Sequence, residues 1–272
     1  MNSSKVHPTA IVDAGVIIGK GSIIGPYTII ESNVVIGESN NIGPNVFVGQ
    51  HTKIGDNNQI HMNSVIGHLP QDIGFRPETF SYLSIGSNNT IREGSVLHRS
   101  ARENGVTILG DGNFLMHHSH LGHDVEVGNQ TILGPNSLLA GYVFVGDRCF
   151  ISGNTAVHQF CRVGRMGLLR GVSAVSMDIP PFCIADWHNT LRGLNIVGLK
   201  RAGISSDNRE ELKDAFKFLF RSGYSLSEAA RNLEKSTSNT LVHELIDFIK
   251  TTKRGIVSWR HVEDDTETES GV

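Results

Sequence analysis

An aliphatic residue returns every sixth position along most of this chain, and this period constrains the fold more than any other feature. The series begins at Val6, Val12 and Ile18 and continues, with two interruptions, to Leu169 and Val175. An α-helix repeats near 3.6 residues and an isolated strand near 2, so neither produces a sustained period of six. The period indicates a solenoid in which short strands alternate with tight turns.

Three hexads form one triangular coil, with the aliphatic residues pointing inward and stacked at the strand spacing of roughly 4.8 Å. Asn and Gly recur where the corners fall, as at Asn40-Asn41, Asn57-Asn58 and Gly112-Asn113. These residue types tolerate positive φ, which tight corners require. The sequence therefore predicts a β solenoid, a parallel β-helix of hexapeptide repeats.

The phase of the repeat shows where the solenoid is interrupted. From Ile66 to Ile85 the spacing is one residue more than three hexads, which predicts a loop at 68–83. A second loop is predicted at 99–106, because Glu103 occupies a slot that should be buried. Long loops on a repetitive scaffold usually serve function.

The repeat ends after Val175, and Pro180-Pro181 marks the exit. We predict a solenoid over 1–180, a helical domain over 181–260 and a disordered tail over 261–272. Apolar residues at helical spacing predict a helix from about Ser206 and another over about 238–252. Ser225 with Glu228 forms a capping-box signature for a helix between them.

Composition limits the classes of function. The net charge of −3 gives no electrostatic case for nucleic-acid binding, and no apolar run approaches the length of a membrane span. The first twenty residues already carry the repeat rather than a signal peptide, and three unpatterned cysteines suit a reducing cytosol. We expect a cytoplasmic protein without stable membrane insertion. Walls of such narrow coils need covering, which favours a homotrimer.

Histidines cluster in two places, at 117–123 and around His158. Gly141 follows His123 by one coil of 18 residues, and His158 follows His123 by 35, so we expect all three on one face. A histidine base beside a glycine N–H is what acyl transfer needs, because the base takes a proton while the amide holds the oxyanion. Asp124 is placed to support an imidazole. The alternative, that these histidines only cap corners, stays open on the residues alone.

Several motifs are shared with a known family. They are His7-Pro8-Thr9-Ala10-Ile11-Val12, Pro70-Gln71-Asp72, Ile91-Arg92-Glu93, His98-Arg99, His120-Leu121-Gly122-His123-Asp124, Leu139-Ala140-Gly141, Thr155-Ala156-Val157-His158-Gln159-Phe160-Cys161, Pro180-Pro181 and Asn195-Ile196-Val197-Gly198-Leu199-Lys200-Arg201. Over nearly its whole length the chain resembles the bacterial UDP-N-acetylglucosamine O-acyltransferases that begin lipid A synthesis. The last histidine-containing block and the block ending in Arg201 are the most specific.

The resemblance implies a left-handed β-helix and a trimer with active sites between subunits. It implies transfer of a (R)-3-hydroxyacyl chain from acyl carrier protein to the 3-hydroxyl of UDP-N-acetylglucosamine, with no metal and no other cofactor. By matching position, His123 is the general base, Asp124 its support and the Gly141 N–H the oxyanion donor.

The resemblance also implies which other residues contact substrate. The substrate-binding residues implied are Gln71, Asp72, His120, Tyr142, His158, Gln159, Asn195 and Arg201. The acyl-chain groove implied is Leu169, Arg170 and Gly171, and Arg162, Arg165 and Arg170 are candidates for a basic patch facing the acidic carrier protein.

Two departures from the family pattern leave alternatives open. Gly74 stands where the family usually has Lys, and Tyr142 where it often has His. A paralogue acting on a different UDP-sugar, by O- or N-acylation, is therefore an alternative. His118 and His123 have the spacing of γ-carbonic-anhydrase metal ligands, which makes a metal-dependent enzyme a second alternative. A solenoid that only binds partners is a third.

Overall fold

The structure, a computed structural model, describes residues 4–259. Its main body is a triangular prism of short parallel strands, a left-handed parallel β-helix, as predicted. Each wall is one sheet of parallel strands from successive coils, and one wall is extended at its C-terminal end by an antiparallel hairpin. The predicted disordered tail at 261–272 lies outside the described residues.

We name the three walls A, B and C. Wall A contains the strands Lys5–Val6, Ile23–Ile24, Asn41–Ile42, Gln59–Ile60, Thr90–Ile91, Phe114–Leu115, Ile132–Leu133, Phe150–Ile151, Leu168–Leu169, Cys183–Asp186, Thr190–Leu194 and Ser258–Trp259. Wall B contains Ile11–Val12, Ile29–Ile30, Phe47–Val48, Val65–His68, Val96–His98, His120–Leu121, Leu138–Leu139, Ala156–Val157 and Ala174–Val175. Wall C contains Ile17–Ile18, Val35–Ile36, Thr52–Ile54, Tyr82–Ile85, Val106–Leu109, Glu126–Val127, Phe144–Val145 and Arg162–Val163.

The hexad residues form the core. In wall A, Ile60 pairs with Ile91 and Leu115 with Leu133, and each of these side chains is at most 1 % exposed. The corners take positive φ, most often at asparagine, as at Asn136 and Asn154. Burial of one aliphatic side chain per hexad is what makes the repeat stable, because no single coil encloses a core of its own.

Two loops leave the prism beside walls B and C. One connects Val65–His68 with Tyr82–Ile85, and the other connects Val96–His98 with Val106–Leu109. The walls keep pairing across both insertions, since Val65 pairs with Val96 and Val96 with His120, with one register shift between Ile66 and His68. The first loop is tied back through Leu69, whose carbonyl oxygen lies 2.7 Å from His98 Nδ1. The loops therefore project from a continuous scaffold.

A β-hairpin that the sequence analysis did not predict extends wall A after Pro180-Pro181. Cys183–Asp186 pairs in parallel with Leu168–Leu169 and antiparallel with Thr190–Leu194. The periodicity misses it because Leu169 and its partner Ala185 are 16 residues apart rather than 18.

Four helices follow: α1 at Ile196–Arg201, α2 at Ser206–Arg221, α3 at Leu226–Glu234 and α4 at Thr240–Lys250. The predicted helices correspond to α2, α3 and α4, and the Ser225 side chain caps α3 by accepting from the Glu228 N–H. The short α1 was not predicted. Within residues 4–259, none of these helices has the length and apolarity needed to cross a membrane.

Candidate active site

The candidate site lies at the corner between walls B and C, where three successive coils carry unusual side chains. Asp124, Tyr142 and Phe160 occupy equivalent corner positions with φ of 59°, 62° and 66°. The Tyr142 N–H donates to the His123 carbonyl at 3.0 Å, and the Phe160 N–H donates to the Gly141 carbonyl at 3.1 Å. The structure thus brings His123 and Gly141 together on adjacent coils, as their spacing of 18 predicts.

His123 and Asp124 form a hydrogen-bonded pair. His123 Nδ1 lies 2.9 Å from Asp124 Oδ2; the carboxylate is completely buried and the imidazole is 14 % exposed. Burial would raise the pKa of Asp124, but hydrogen bonds from Ser100, His123 and Arg102 outweigh burial and hold it below its usual value. The ionised carboxylate accepts from Nδ1–H, so the Nε2 lone pair of His123 is available as a base.

Gly141 lies directly against the imidazole. A Cβ added at Gly141 would sit 2.6 Å from His123 Nε2, closer than any real side chain allows. In the part of the chain that the structure describes, the Gly141 N–H has no hydrogen-bond acceptor. A base and a free amide donor on neighbouring coils are the two groups that acyl transfer requires.

The Tyr142 ring packs between His123 and Phe160. Its ring meets His123 edge-on at a centroid distance of 5.1 Å and stacks on Phe160 at 4.7 Å with an interplanar angle of 12°. Burial raises the pKa of Tyr142. The phenol therefore stays protonated at neutral pH.

Two further histidines border the site. His98 and His120 lie 5.2 Å apart, and each has a buried Nε2 with no hydrogen-bond partner among residues 4–259. Burial, reinforced by the charge of His98, lowers the pKa of His120 to about 4, and burial lowers that of His98. Both rings are therefore neutral at pH 7, with their unpartnered Nε2 atoms buried beside the site.

A groove of about 520 Å³ runs from His120 along wall B. Its floor consists of outward-facing residues in register on successive coils, namely His120, Leu138, Ala156 and Ala174. The groove also includes Gln71 from the first loop and His188 from the hairpin. The three apolar residues follow His120 in steps of 18, a signal in the sequence that could have identified them.

Gln71 reaches this groove, whereas the Asp72 carboxylate accepts a hydrogen bond from the Gly74 N–H at 2.8 Å. Asp72 is exposed and close enough to Tyr142 to influence its ionisation. The first loop therefore places two of the residues named from the resemblance beside the His123 corner.

The predicted alignment of His158 with His123 and Gly141 needs correction. The residue two coils after His123 is Gln159, and His158 precedes it, at the position equivalent to Ala140. The spacing of 35 is one short of two coils, and in a strand that single residue changes the face. His158 instead lines the groove, with its Nδ1 3.4 Å from Arg254 Nη2.

Of the three residues predicted to form the acyl-chain groove, Leu169 is wrong, whereas Arg170 and Gly171 stay a prediction. Leu169 has no exposed surface because it is a hexad residue of the interior. Arg170 pairs with Asp186 at 3.2 Å, and neither Arg170 nor Gly171 lines the groove on wall B.

Asn195 and Arg201 do not reach His123 within one chain. Asn195 caps α1: its Oδ1 accepts from the Gly198 N–H at 2.9 Å and its Nδ2 donates to the Met166 carbonyl at 3.0 Å. Both polar atoms of this mostly buried side chain are therefore used within the fold. Arg201 lines a cleft with Gln130 and Arg148 at a different corner, between walls C and A.

The arginines predicted as a carrier-protein patch are engaged in ion pairs. Arg162 pairs with Asp178, Arg165 with Glu244 and Arg170 with Asp186. They neutralise carboxylates of the same chain, so they do not form a free basic patch.

His118 and His123, the pair required by the metal alternative, lie at different corners of the prism. His118 is at the corner between walls A and B, whose next coils carry Asn136 and Asn154. Within residues 4–259 no group of three His, Cys, Asp or Glu is arranged to hold a metal ion.

Comparison with known families gives two matches. Residues 178–257 match the second domain of UDP-N-acetylglucosamine O-acyltransferase, and residues 33–68 and 106–141 match the bacterial transferase hexapeptide repeat. The first match lies in the C-terminal part of the chain and the second in the prism.

Relatives similar over the full length carry one name, acyl-(acyl-carrier-protein)-UDP-N-acetylglucosamine O-acyltransferase. The chain is 38 % identical to that of Campylobacter concisus over 253 residues, covering 92 % of this chain and 96 % of the relative. It is 42 % identical to that of Paraburkholderia phymatum over 261 residues, covering 93 % and 99 %.

Solved structures agree with these matches. The UDP-N-acetylglucosamine acyltransferase of Campylobacter jejuni superimposes with a TM-score of 0.89 at 37 % identity, covering 94 % of this chain and all of the other. That of Francisella novicida superimposes with a TM-score of 0.91 at 33 % identity, covering 98 % of both chains.

Proposed function

The chain belongs to the acyl-(acyl-carrier-protein)-UDP-N-acetylglucosamine O-acyltransferases, and we propose from this membership that His123 is the general base of its acyl transfer. The acyl donor is an acyl carrier protein and the acceptor is UDP-N-acetylglucosamine. In the finer proposal a (R)-3-hydroxyacyl chain moves to the sugar 3-hydroxyl as the first step of lipid A synthesis, in the cytoplasm.

The proposed steps use two groups on adjacent coils. His123 Nε2 removes the proton of the sugar hydroxyl while its oxygen attacks the thioester carbonyl carbon. The carbonyl oxygen becomes an oxyanion that accepts a hydrogen bond from the Gly141 N–H. The C–S bond then breaks, and the departing thiolate of the carrier's prosthetic arm takes the proton back from the His123 imidazolium, so no other co-reactant is needed. Asp124 stays ionised throughout and stabilises the imidazolium.

The groove on wall B suits the acyl chain. Leu138, Ala156 and Ala174 give it an apolar floor that starts at the His120 end and follows the coils toward the hairpin. The small alanines leave space where larger outward residues would fill it. Gln71 and the neutral His120 stand where the groove meets the His123 corner, so polar contacts to the sugar belong there.

We infer that the active unit is a homotrimer, because the residues carried over from the family lie at two different corners. His123 is at the corner between walls B and C, and Arg201 is at the corner between walls C and A. A three-fold axis would bring one protomer's Arg201 corner to the next protomer's His123 corner.

Mixing tests this arrangement. His123→Ala and Arg201→Ala variants, each impaired alone, should regain activity after being unfolded and refolded together, because mixed trimers contain one intact site. A mixture that stays as inactive as its components would contradict a site shared between protomers.

The observation that carries the function is the His123 imidazole lying over Gly141 with its Nδ1 fixed by a buried carboxylate. The test is acyl transfer by the purified protein from 3-hydroxyacyl carrier proteins of several lengths to a panel of UDP-sugars. We expect UDP-N-acetylglucosamine to be the preferred acceptor, with an ester product. Preference for a UDP-sugar with an amino group at the acceptor carbon, giving an amide, would show that the acceptor is misassigned.

A further inference from the structure

We infer that Arg102 is a positioning residue of this reaction: it fixes the orientation of the Asp124 carboxylate and so keeps His123 Nε2 directed at the acceptor hydroxyl. The inference rests on the proposed function and gives a role to the loop between His98 and Val106. Neither the sequence repeat nor the family motifs quoted above point to this residue.

The two carboxylate oxygens of Asp124 have different hydrogen-bond partners. Asp124 Oδ1 accepts from Arg102 Nε at 2.7 Å and from the Ser100 hydroxyl at 2.6 Å. Asp124 Oδ2 accepts from the Ala101 N–H at 3.1 Å and faces His123 Nδ1 at 2.9 Å. Because the loop occupies Oδ1, only Oδ2 remains for the imidazole, and the His123 ring is held in one orientation.

Arg102 also contacts the second group that restrains the imidazole. Its guanidinium lies over the Tyr142 ring, 5.5 Å from the centroid, and the same ring meets His123 edge-on. Cation–π contacts of this kind favour a planar guanidinium over an ammonium. One side chain thus touches both the carboxylate and the aromatic ring that flank His123.

The loop is folded to present Arg102 in this way. The Arg102 N–H donates to the Ser100 hydroxyl at 3.0 Å, and the Gly105 N–H donates to the Arg102 carbonyl at 2.9 Å. A side chain at Gly105 would collide with the Ser100 hydroxyl. The Arg102 side chain itself is 61 % exposed, so it does not serve as core packing.

The charge of Arg102 should affect the pH dependence of the reaction. The polar and charged groups around the pair are Ser100 and Arg102 in the loop, Thr107 on wall C, Tyr142 on the next coil, His98 and His120 on wall B, and Asp72 beyond Tyr142. Arg102 is the cation that directly contacts the carboxylate. Without it, Asp124 would stabilise the protonated imidazole more strongly, and the base would lose its proton only at higher pH.

The experiment compares Arg102→Met, Arg102→Lys and the surface control Arg231→Met across a pH series. We expect Arg102→Met to lower kcat about tenfold, to leave KM for the UDP-sugar nearly unchanged, and to move the acidic limb of kcat/KM to higher pH. Arg102→Lys should restore the position of the limb but only part of kcat, because a point charge lacks the planar fork. Arg231 is exposed on α3, so Arg231→Met should leave kcat, KM and the pH profile unchanged.

Two outcomes would overturn the inference. One is an Arg102→Met enzyme with wild-type kcat and an unmoved limb. The other is an equal loss of kcat in Arg102→Met and Arg102→Lys with the acidic limb of kcat/KM unmoved, which would show that the loop has only a structural role. The ¹⁵N spectrum of the His123 ring separates this from failure of the proposed function: the Nδ1–H signal should be single and sharp in the wild type and broadened by ring motion in Arg102→Met, even if no tested UDP-sugar accepts an acyl chain.

Discussion

The interior of the prism and the corner between walls B and C follow opposite rules. In the interior, each coil repeats its neighbour, so that Leu121 is followed by Leu139 and then by Val157, all essentially unexposed. At the corner, equivalent positions carry Asp124, Tyr142 and Phe160, which share positive φ but no chemistry. Repetition stabilises the stack, and the departure from it places a base, an amide donor and aromatic rings around one point.

On two coils of the corner between walls A and B, asparagine occupies the equivalent position. There Asn136 and Asn154 take the positive φ, and their side chains hydrogen-bond to each other at 3.0 Å. Asparagine adopts this conformation at little cost, whereas aromatic residues adopt it rarely. Positive φ at Tyr142 and Phe160 therefore carries strain, as it does at Tyr27 and Val172 of the corner between walls A and B, so strain alone does not mark the functional corner.

A large loss of kcat is expected from Gly141→Ala. The new Cβ would sit 2.6 Å from His123 Nε2 and displace the imidazole from the amide that should hold the oxyanion. We expect kcat to fall on the order of 10³-fold, with little change in thermal stability, because the backbone of Gly141 does not need positive φ. Steady-state kinetics and a thermal melt check both parts.

A substitution in the interior provides the matched contrast. Leu133 is fully buried in wall A, and Leu133→Ala should cost about 3 kcal/mol of unfolding free energy by leaving a cavity. The surviving folded enzyme should keep its kcat. If Gly141→Ala destabilised the protein as much as Leu133→Ala, the corner would be structural and the contrast between the two regions would fail.

A smaller effect is expected from pH. Burial lowers the pKa of His120 to about 4 in the folded protein, whereas the unfolded chain titrates near 6.5. Between these values the unfolded state binds more protons, so stability is complete above about pH 6.5 and falls as the pH drops toward 4. From pH 7 to pH 5 this group should contribute a loss of about 2 kcal/mol.

Thermal melts of the wild type and His120→Gln over this pH range measure that contribution. Asp124 and His98 also have lowered pKa values and add losses of the same sign at acid pH. The variant should therefore lose less stability than the wild type, without becoming independent of pH. Parallel curves for the two proteins would show that His120 is not neutral and buried as described.

The repeat predicted the features that depend on spacing alone. The buried hexads, the coil stacking and the contact of His123 with Gly141 all follow from multiples of six, and the helix caps follow from local side chains such as Ser225. The position of His158 was wrong by one residue, because its spacing was taken as two full coils. Leu169 was misplaced because the resemblance was applied without asking which face a hexad residue occupies.

The period of six could not predict contacts made by loops and helix caps. Asp124 contacts Ser100 and Arg102, which are 24 and 22 residues earlier in the chain, because the inserted loop lengthens that coil. Asn195 Oδ1 caps α1 and its Nδ2 donates to the Met166 carbonyl, contacts that the repeat does not predict. Both depend on where a side chain finds hydrogen-bond partners, which periodicity does not encode.

The most direct test of the account is the turnover of His123→Ala with acyl carrier protein and UDP-N-acetylglucosamine. If His123 is the general base, kcat should fall by a factor of roughly 10² to 10⁴, while KM for the UDP-sugar and the melting temperature stay close to those of the wild type. A folded variant whose kcat remains within a few-fold of the wild type would show that His123 is not the general base.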